Sequence, residues 1–374
     1  MHDDLVVGAG IVGLAHAYQL ARRGRRVAVL ERSHRAQGAS VRNFGMIWPI
    51  GQPFGPRREL AHASRSTWLD VLAKSGLWHE PSGSLHLAYH PDEAAVLEEY
   101  AVLARERGEE VELLSPEQAR QRAPLVNRAS LRLGLFSNTE LCIDPRQAIA
   151  ELPAWLEGTL GVAFHFGRRV TAVEPPWVHV GSERLKAARV WICAGDDLES
   201  LFPEHYAGLG LVRCKLQMMR STPLEEGARI GPMLAGGLTL RHYQAFAACP
   251  SLRALKERIA RENPWFDQYG VHVMASRNGL GELTIGDSHE YGQAIEPFDR
   301  TEIDDRILEY LHTMLDLPGL RIAARWHGIY VKHPADAYVT IKPMEGVVGV
   351  TGLGGAGMTL SFGVAQRVVE ETLS

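Results

Sequence analysis

The chain has 374 residues, 45% of them hydrophobic and 22% charged, with a net charge of −4. That length suits two domains or one large fold with an inserted subdomain, and the charge balance offers no basic field for nucleic acid. No apolar run is long enough to span a bilayer, and the opening "MHDDLVVGAG" enters a strand directly, with nothing resembling a signal peptide. Cys142, Cys193, Cys214 and Cys249 are scattered without a CxxC pair, which fits a reducing cytoplasm rather than a disulfide framework or a zinc site.

The first thirty residues carry the clearest signal. Leu5 to Val7 read as a buried parallel strand, and Gly8, Gly10 and Gly13 complete G-x-G-x-x-G. An alanine-rich helix follows and stops at Gly24; a second apolar strand, "RVAVL", ends at Glu31. The first glycine permits the tight turn, the second lets backbone approach a pyrophosphate, and the third lets helix pack on strand. The helix N-terminus then faces the phosphates. Glu31 lies roughly twenty residues on, where an acid hydrogen-bonds a ribose 2′-hydroxyl and repels a 2′-phosphate, which argues against NADP. Strand, glycines, helix, second strand and acid in this order are a specific dinucleotide signature, though they do not separate FAD from NAD.

Next comes "RNFGMIWPIGQPFG", residues 42–55, an apolar loop broken by Gly45, Gly51 and Gly55. "SGSLHLAY" alternates as a strand. "LSPEQARQRAP" opens a helix with Ser115 as N-cap, Pro116 at the first position and Gln118 closing a capping box. "RVWICAGDD", residues 189–197, is an apolar strand running into Ala194-Gly195. "KLQMMRS" and "GVHVMAS" read as further alternating strands. The end, "VVGVTGLGGAGMTLSFGVAQRVVE", is a strand, a glycine-rich loop and a helix expected from about Thr359. Gly352, Gly354, Gly355 and Gly357 leave N–H groups unshielded there, and the helix start adds partial positive charge, a fit for the pyrimidine edge of an isoalloxazine. Several separate segments devoted to one nucleotide favour FAD over NAD.

These pieces resemble the D-amino-acid oxidase superfamily, in its glycine and sarcosine oxidase branch, over essentially the full length. The matching stretches are "VVGAGIVGLAHAYQLARRG", "VLER", "GASVRNFGMI", "CIDPRQAI", "VWICAGD", "GELTIGDSHEYG", "RWHGIY" and "VTGLGGAGMTLSFGVA". The extended "ASVRNFGMIWPIGQPFG" loop resembles a branch associated with bacterial phosphonate breakdown. The resemblance implies an α/β fold: a Rossmann-type FAD-binding domain of the glutathione-reductase kind, with an antiparallel-sheet substrate domain. The expected FAD-binding parts are residues 1–80, 140–205 and 320–374, and the substrate domain 81–139 and 206–319. Expected cofactor contacts are Gly8, Gly10, Ile11, Val12, Gly13, Glu31, Arg32, Ser40, Arg42, Asn43, Gly45, Met46, Val170, Ala194, Gly195, Gly328, Gly354, Gly355, Gly357, Met358 and Thr359. With no cysteine beyond Cys249, the FAD is expected to be non-covalent as regards cysteine.

In such enzymes a hydride leaves a carbon beside an amine nitrogen for flavin N5, so no strong acid–base pair is required. Two departures bear on the substrate. The family's carboxylate-clamping arginine is replaced by Tyr330 in "RWHGIYVKHP", and a second by Gly355 or Ala356. Candidate donors to a differently placed anion are Arg42, Lys215, Tyr243, His289, Tyr330 and Lys332. Phe44 and Trp48 either wall the cavity or belong to ordinary core. Thr284 stands where sarcosine oxidases carry a lysine near the flavin, which keeps an electron acceptor other than O2 open. The histidines show no ligand spacing, so no metal is expected. The readings are therefore a FAD-dependent amine oxidase acting with O2 on a small amine, such as N-methyl-2-aminoethylphosphonate; an amino-acid oxidase or quinone-feeding dehydrogenase; or a non-catalytic flavoprotein. The exact amine and the oligomeric state are not legible.

Overall fold

The protein is described by a computed structural model covering residues 2–225 and 227–374; Met1 and Glu226 lie outside the described residues. Its first sheet has eight strands. The strand His2–Val7 lies parallel to Glu183–Ile192 on one side and to Val27–Glu31 on the other. Val27–Glu31 continues in parallel to Ala163–Phe166, and Glu183–Ile192 to Val347–Thr351. Leu5, Val6, Val29, Leu30 and Ile192 are all buried, as apolar runs in a parallel sheet covered on both faces must be.

The second sheet has nine strands organised on the long strand Val212–Pro223, which pairs antiparallel with Glu282–Gly286, Glu290–Gly292 and Ile322–Lys332. Ser84–Ala88, which covers the first of the alternating runs, joins the same sheet. The pairing is antiparallel except for Met233–Ala235 against Ser84–Ala88, which is parallel. Ile322–Lys332, which begins at the expected boundary near 320, pairs in this sheet along most of Val212–Pro223. A three-stranded sheet of Met46–Ile47, Leu141–Ile143 and His79–Glu80 joins segments at the domain crossings. The helix Pro116–Arg122 carries the expected reciprocal cap between Ser115 and Gln118.

Two helices from opposite ends of the chain lie together. Ile11–Ala21 follows the first strand, and Gly357–Leu373, starting two residues before the expected Thr359, follows the last strand of the first sheet. Close approach is bought by glycine. A Cβ on Gly13 would lie 1.9 Å from the Gly8 carbonyl oxygen, and one on Gly363 would lie 2.3 Å from that of Leu60, in the helix Pro56–Ser75. The Trp68 indole N–H donates to the Met358 carbonyl at 2.8 Å, and the Phe362 N–H to Ser64 Oγ at 3.2 Å, fixing the start of the last helix.

Gly363→Ala separates packing from propensity. Propensity alone favours alanine in a helix by about 1 kcal/mol. The backbone clash with Leu60 opposes it, and overpacking of this kind costs about 1–3 kcal/mol. The account expects net destabilisation in denaturant unfolding; a stabilised variant would contradict it.

Candidate active site

The carboxyl ends of four parallel strands open into one cleft of about 670 Å³. They supply Val7 and Gly8, Leu30 and Glu31, Cys193 and Ala194, and Val350 and Thr351 to its lining. Ligands of open parallel sheets bind at this edge. The two helices described above also begin here, through Gly10, Ile11 and Val12 on one and Gly357, Met358 and Thr359 on the other. Neither has an acidic residue in its first turn, so both positive dipole ends are left to the cleft.

The loop after Glu31 ties the two sheets together across this edge. Ser40 Oγ accepts from the Ile11 N–H at 3.0 Å. Asn43 donates to the carbonyls of Ala39 and Ser40 and accepts from the Gly45 N–H at 2.8 Å. Ser276, in the second sheet, donates to the Phe44 carbonyl at 2.7 Å. The Trp48 N–H donates to Thr359 Oγ1 at 2.9 Å, at the start of the C-terminal helix. Arg42 donates to the His327 carbonyl at 3.0 Å. Gly55, at φ +97°, turns the chain into Pro56–Ser75. Phe44, Met46 and Trp48 border the cleft, and Met46 and Trp48 are at the same time part of a buried core cluster against which Phe44 packs.

A dinucleotide fits this frame. Glu31 Oε2 accepts from the Ala9 N–H at 2.9 Å and Oε1 from the Ser33 N–H at 3.0 Å, holding its carboxylate at the cleft edge. Arg32 pairs with Asp197 at 2.7 Å nearby. At the lining residues Gly195 and Gly357 an added Cβ would meet no protein atom within 4 Å. Val170, Gly328, Gly354 and Gly355 border the same space. Gly13 and Gly45 do not: both act in packing, Gly45 because a Cβ would lie 2.0 Å from the Ile143 carbonyl oxygen.

At the second-sheet end stand Tyr243, His289, Tyr330 and Lys332. A Cβ on Gly355 would lie 3.4 Å from the Tyr330 hydroxyl, which places that tyrosine against the C-terminal glycine loop. Burial pushes the Tyr243 and Tyr330 hydroxyls up in pKa, so both stay protonated. Lys332 Nζ lies 4.6 Å over the Tyr291 ring. Lys215 must be corrected. It is fully buried away from the cleft, pairs with Asp299 at 2.9 Å and donates to the carbonyls of Glu296 and Phe298, so its charge is already satisfied. Thr284 likewise does not border the cleft; it sits within the sheet opposite Arg220 and Ser276.

Sequence reasoning missed His242, His272, Asp287 and Arg57, which all border the cleft. The three histidines His242, His272 and His289 come from separate segments and meet only in the fold, so no spacing signal could have found them. One nitrogen from each lies within 4.8 Å of those of the other two, and the rings lie close, with centroids 4.0, 4.3 and 5.1 Å apart.

Parallel-strand ends, a glycine turn, a ribose acid and two helix starts around one cleft define a dinucleotide-binding oxidoreductase. The chain belongs to the DAO family, described as FAD dependent oxidoreductase, whose profile matches residues 3–371. It is similar to FAD-dependent oxidoreductase domain-containing protein 1 of Mus musculus, at 32% identity over 98% of this chain and 80% of that protein. The bovine protein of the same name matches at 31% identity over 43% of this chain, and that alignment spans only 36% of the bovine protein. In fold it is similar to glycine oxidase from Bacillus cereus, with a TM-score of 0.80 at 17% identity, covering 100% of this chain and 95% of that one. The protein is thus a FAD-dependent enzyme with a Rossmann-type cofactor domain.

Gly357→Leu tests the cradle. Its φ of −53° is helical, so the side chain introduces no backbone strain, but it projects where no protein atom stands. The variant should fold yet bind FAD at least about tenfold more weakly, a loss of about 1.4 kcal/mol. Flavin content per folded protein reads this directly, and a variant as yellow as the parent would contradict it.

Proposed function

We propose that the protein oxidises a small amine bearing a phosphonate, such as N-methyl-2-aminoethylphosphonate. The observation that carries the reading is the makeup of the cleft beside the C-terminal glycine loop. Tyr330 stands where a carboxylate-clamping arginine would be expected, Gly355 opposite it has no side chain, and Lys332, His289 and Tyr243 line the same cleft. Bound FAD would supply the acceptor for a hydride from the carbon beside the amine nitrogen. This chain's residues do the rest. Phe44, Trp48 and Tyr243 wall the cavity and limit water, and Trp48 and Tyr243 pack with ring centroids 6.4 Å apart. Lys332 and the protonated tyrosines supply donors for an anion with three acceptor oxygens.

Loss of a hydride from the carbon and a proton from the nitrogen, two electrons and two protons in all, leaves an imine, which water splits into an aldehyde and an amine. O2 takes the two electrons with two protons and becomes hydrogen peroxide. The cofactor is read as non-covalent with respect to cysteine: all four thiols are buried, and burial pushes those of Cys142, Cys214 and Cys249 up to about 12, far from the reactive thiolate. Four free thiols also fit a reducing compartment such as the cytoplasm. No helix among the described residues is long and apolar enough to cross a membrane. A second reading, an amino-acid dehydrogenase passing electrons to a quinone, uses the same cleft, and Thr284, which does not border it, bears on neither acceptor.

Anaerobic mixing of the yellow protein with N-methyl-2-aminoethylphosphonate, with sarcosine in a parallel sample, tests the substrate class. The phosphonate should bleach the flavin absorbance and sarcosine should not. Bleaching by sarcosine alone would overturn the reading. Admitting air then separates the two acceptors: rapid return of colour with peroxide supports the oxidase.

A further inference from the structure

The stacked histidines pose an unmet demand. Asp287 Oδ1 approaches His272 Nε2 at 3.0 Å and Asp287 Oδ2 approaches His289 Nε2 at 3.9 Å. The first contact is close but off-axis, and Asp287 Oδ1 and His272 Nδ1 are both buried without a hydrogen-bond partner. His272 is 2% exposed and Asp287 5%, and both border the cleft. His289 Nδ1 lies 3.1 Å from the Gly270 carbonyl, so that nitrogen carries the proton and Nε2 is left toward Asp287 and the cleft. Buried polar atoms without partners cost stability unless a ligand or water satisfies them.

The surroundings say what that ligand is. Lys332 and Arg241 face the cluster and disfavour further positive charge on His242 and His289. Tyr243, Tyr291 and Tyr330 face it with protonated hydroxyls, and Cys214 is a buried thiol behind them. Burial holds His242 and His272 well below the usual histidine range and His289 at about 4, and it pushes Asp287 well above the carboxylate range. The empty cluster is therefore an uncharged store of proton sites beside cations and hydroxyl donors. A cation would meet Lys332; an anion would meet Lys332 and the imidazole nitrogens and would make protonation of the imidazoles favourable. The Tyr243 hydroxyl already donates to Met274 Sδ at 3.5 Å, and Arg241 is paired with Asp267.

We propose that His242, His272 and His289, with Asp287 beside the last two, form the subsite for the substrate's anionic group and take up protons as that group enters. The proposal rests on the anionic-amine reading above and assigns the anion a place within the cleft. Each proton moves from solvent to an imidazole nitrogen, so no electron changes hands. By linkage, a site that gains protons on binding loses affinity as pH rises, by up to about tenfold per pH unit for each proton.

The test uses the holoprotein and methylphosphonate, which has no amine to oxidise. Titration calorimetry near neutral-to-alkaline pH, in two buffers of different ionisation heat, counts the protons. About one or more protons should be taken up per bound probe, and affinity should fall with pH. His272→Gln and His289→Gln should each weaken binding at least about tenfold while keeping the flavin. Binding by the parent protein with no proton uptake overturns the proposal without reliance on any variant. Equal affinity in the flavin-replete variants also overturns it. Acetate bound with the same proton uptake and the same sensitivity would support the subsite while removing the phosphonate preference. Oxidation of the aminophosphonate with unchanged KM in both variants would leave the substrate reading intact and overturn the subsite.

Discussion

Everything at this site depends on two helix starts, drawn from opposite ends of the chain, reaching one sheet edge. Ile11–Ala21 and Gly357–Leu373 can do so because Gly13 and Gly363 remove the side chains that would hold backbone apart. Each helix contributes a partial positive charge of roughly half a unit at its N-terminus. The parallel strands add backbone at their carboxyl ends. Together they make an anion-tolerant cradle, and Arg32, Arg168 and Arg169 line the same cleft.

The opposite wall of the cleft is held in register by the segment 38–55. Its composition makes sense once its contacts are known. It is apolar where Phe44, Met46 and Trp48 face the cleft, and it is broken by glycine where it must bend, as at Gly55. Its backbone is pinned in turn to the first helix, the second sheet and the last helix, through Ser40, Ser276 and Thr359. A movement in any one of these elements is therefore felt at the cofactor and at the substrate wall alike.

The cofactor half was legible in the sequence because its physics is local. Gly8, Gly10, Gly13 and Glu31 lie within one strand–helix–strand unit, and their spacing follows from a turn, a close approach and a ribose contact. The capping box at Ser115 and Gln118 is local in the same way. The substrate half was not legible, because its residues meet only through long-range pairing. His242, His272 and His289 sit in three segments, and Asp287 joins them at the end of Glu282–Gly286. Lys215 misled because a lysine flanked by apolar residues on a strand has two faces to choose from. The strand Val212–Pro223 turns it toward Asp299 and the carbonyls at 296 and 298, where its charge is spent. The pairing of Ile322–Lys332 was hidden for a related reason: its partner lies about a hundred residues earlier, in Val212–Pro223.

The proposed function amounts to an exchange of one anion-binding chemistry for another. Guanidinium groups give fixed charge and planar, bidentate geometry suited to carboxylates. Tyr330, Lys332 and the histidine cluster give single donors and titratable groups along the same cleft. The most direct measurement is the selectivity of Tyr330→Arg, as the ratio of kcat/KM for sarcosine to that for N-methyl-2-aminoethylphosphonate. Placing a guanidinium beside Gly355 should move that ratio toward sarcosine by at least about tenfold. A ratio that stays unchanged, or moves toward the phosphonate, would contradict the claim that this position sets the choice of anion.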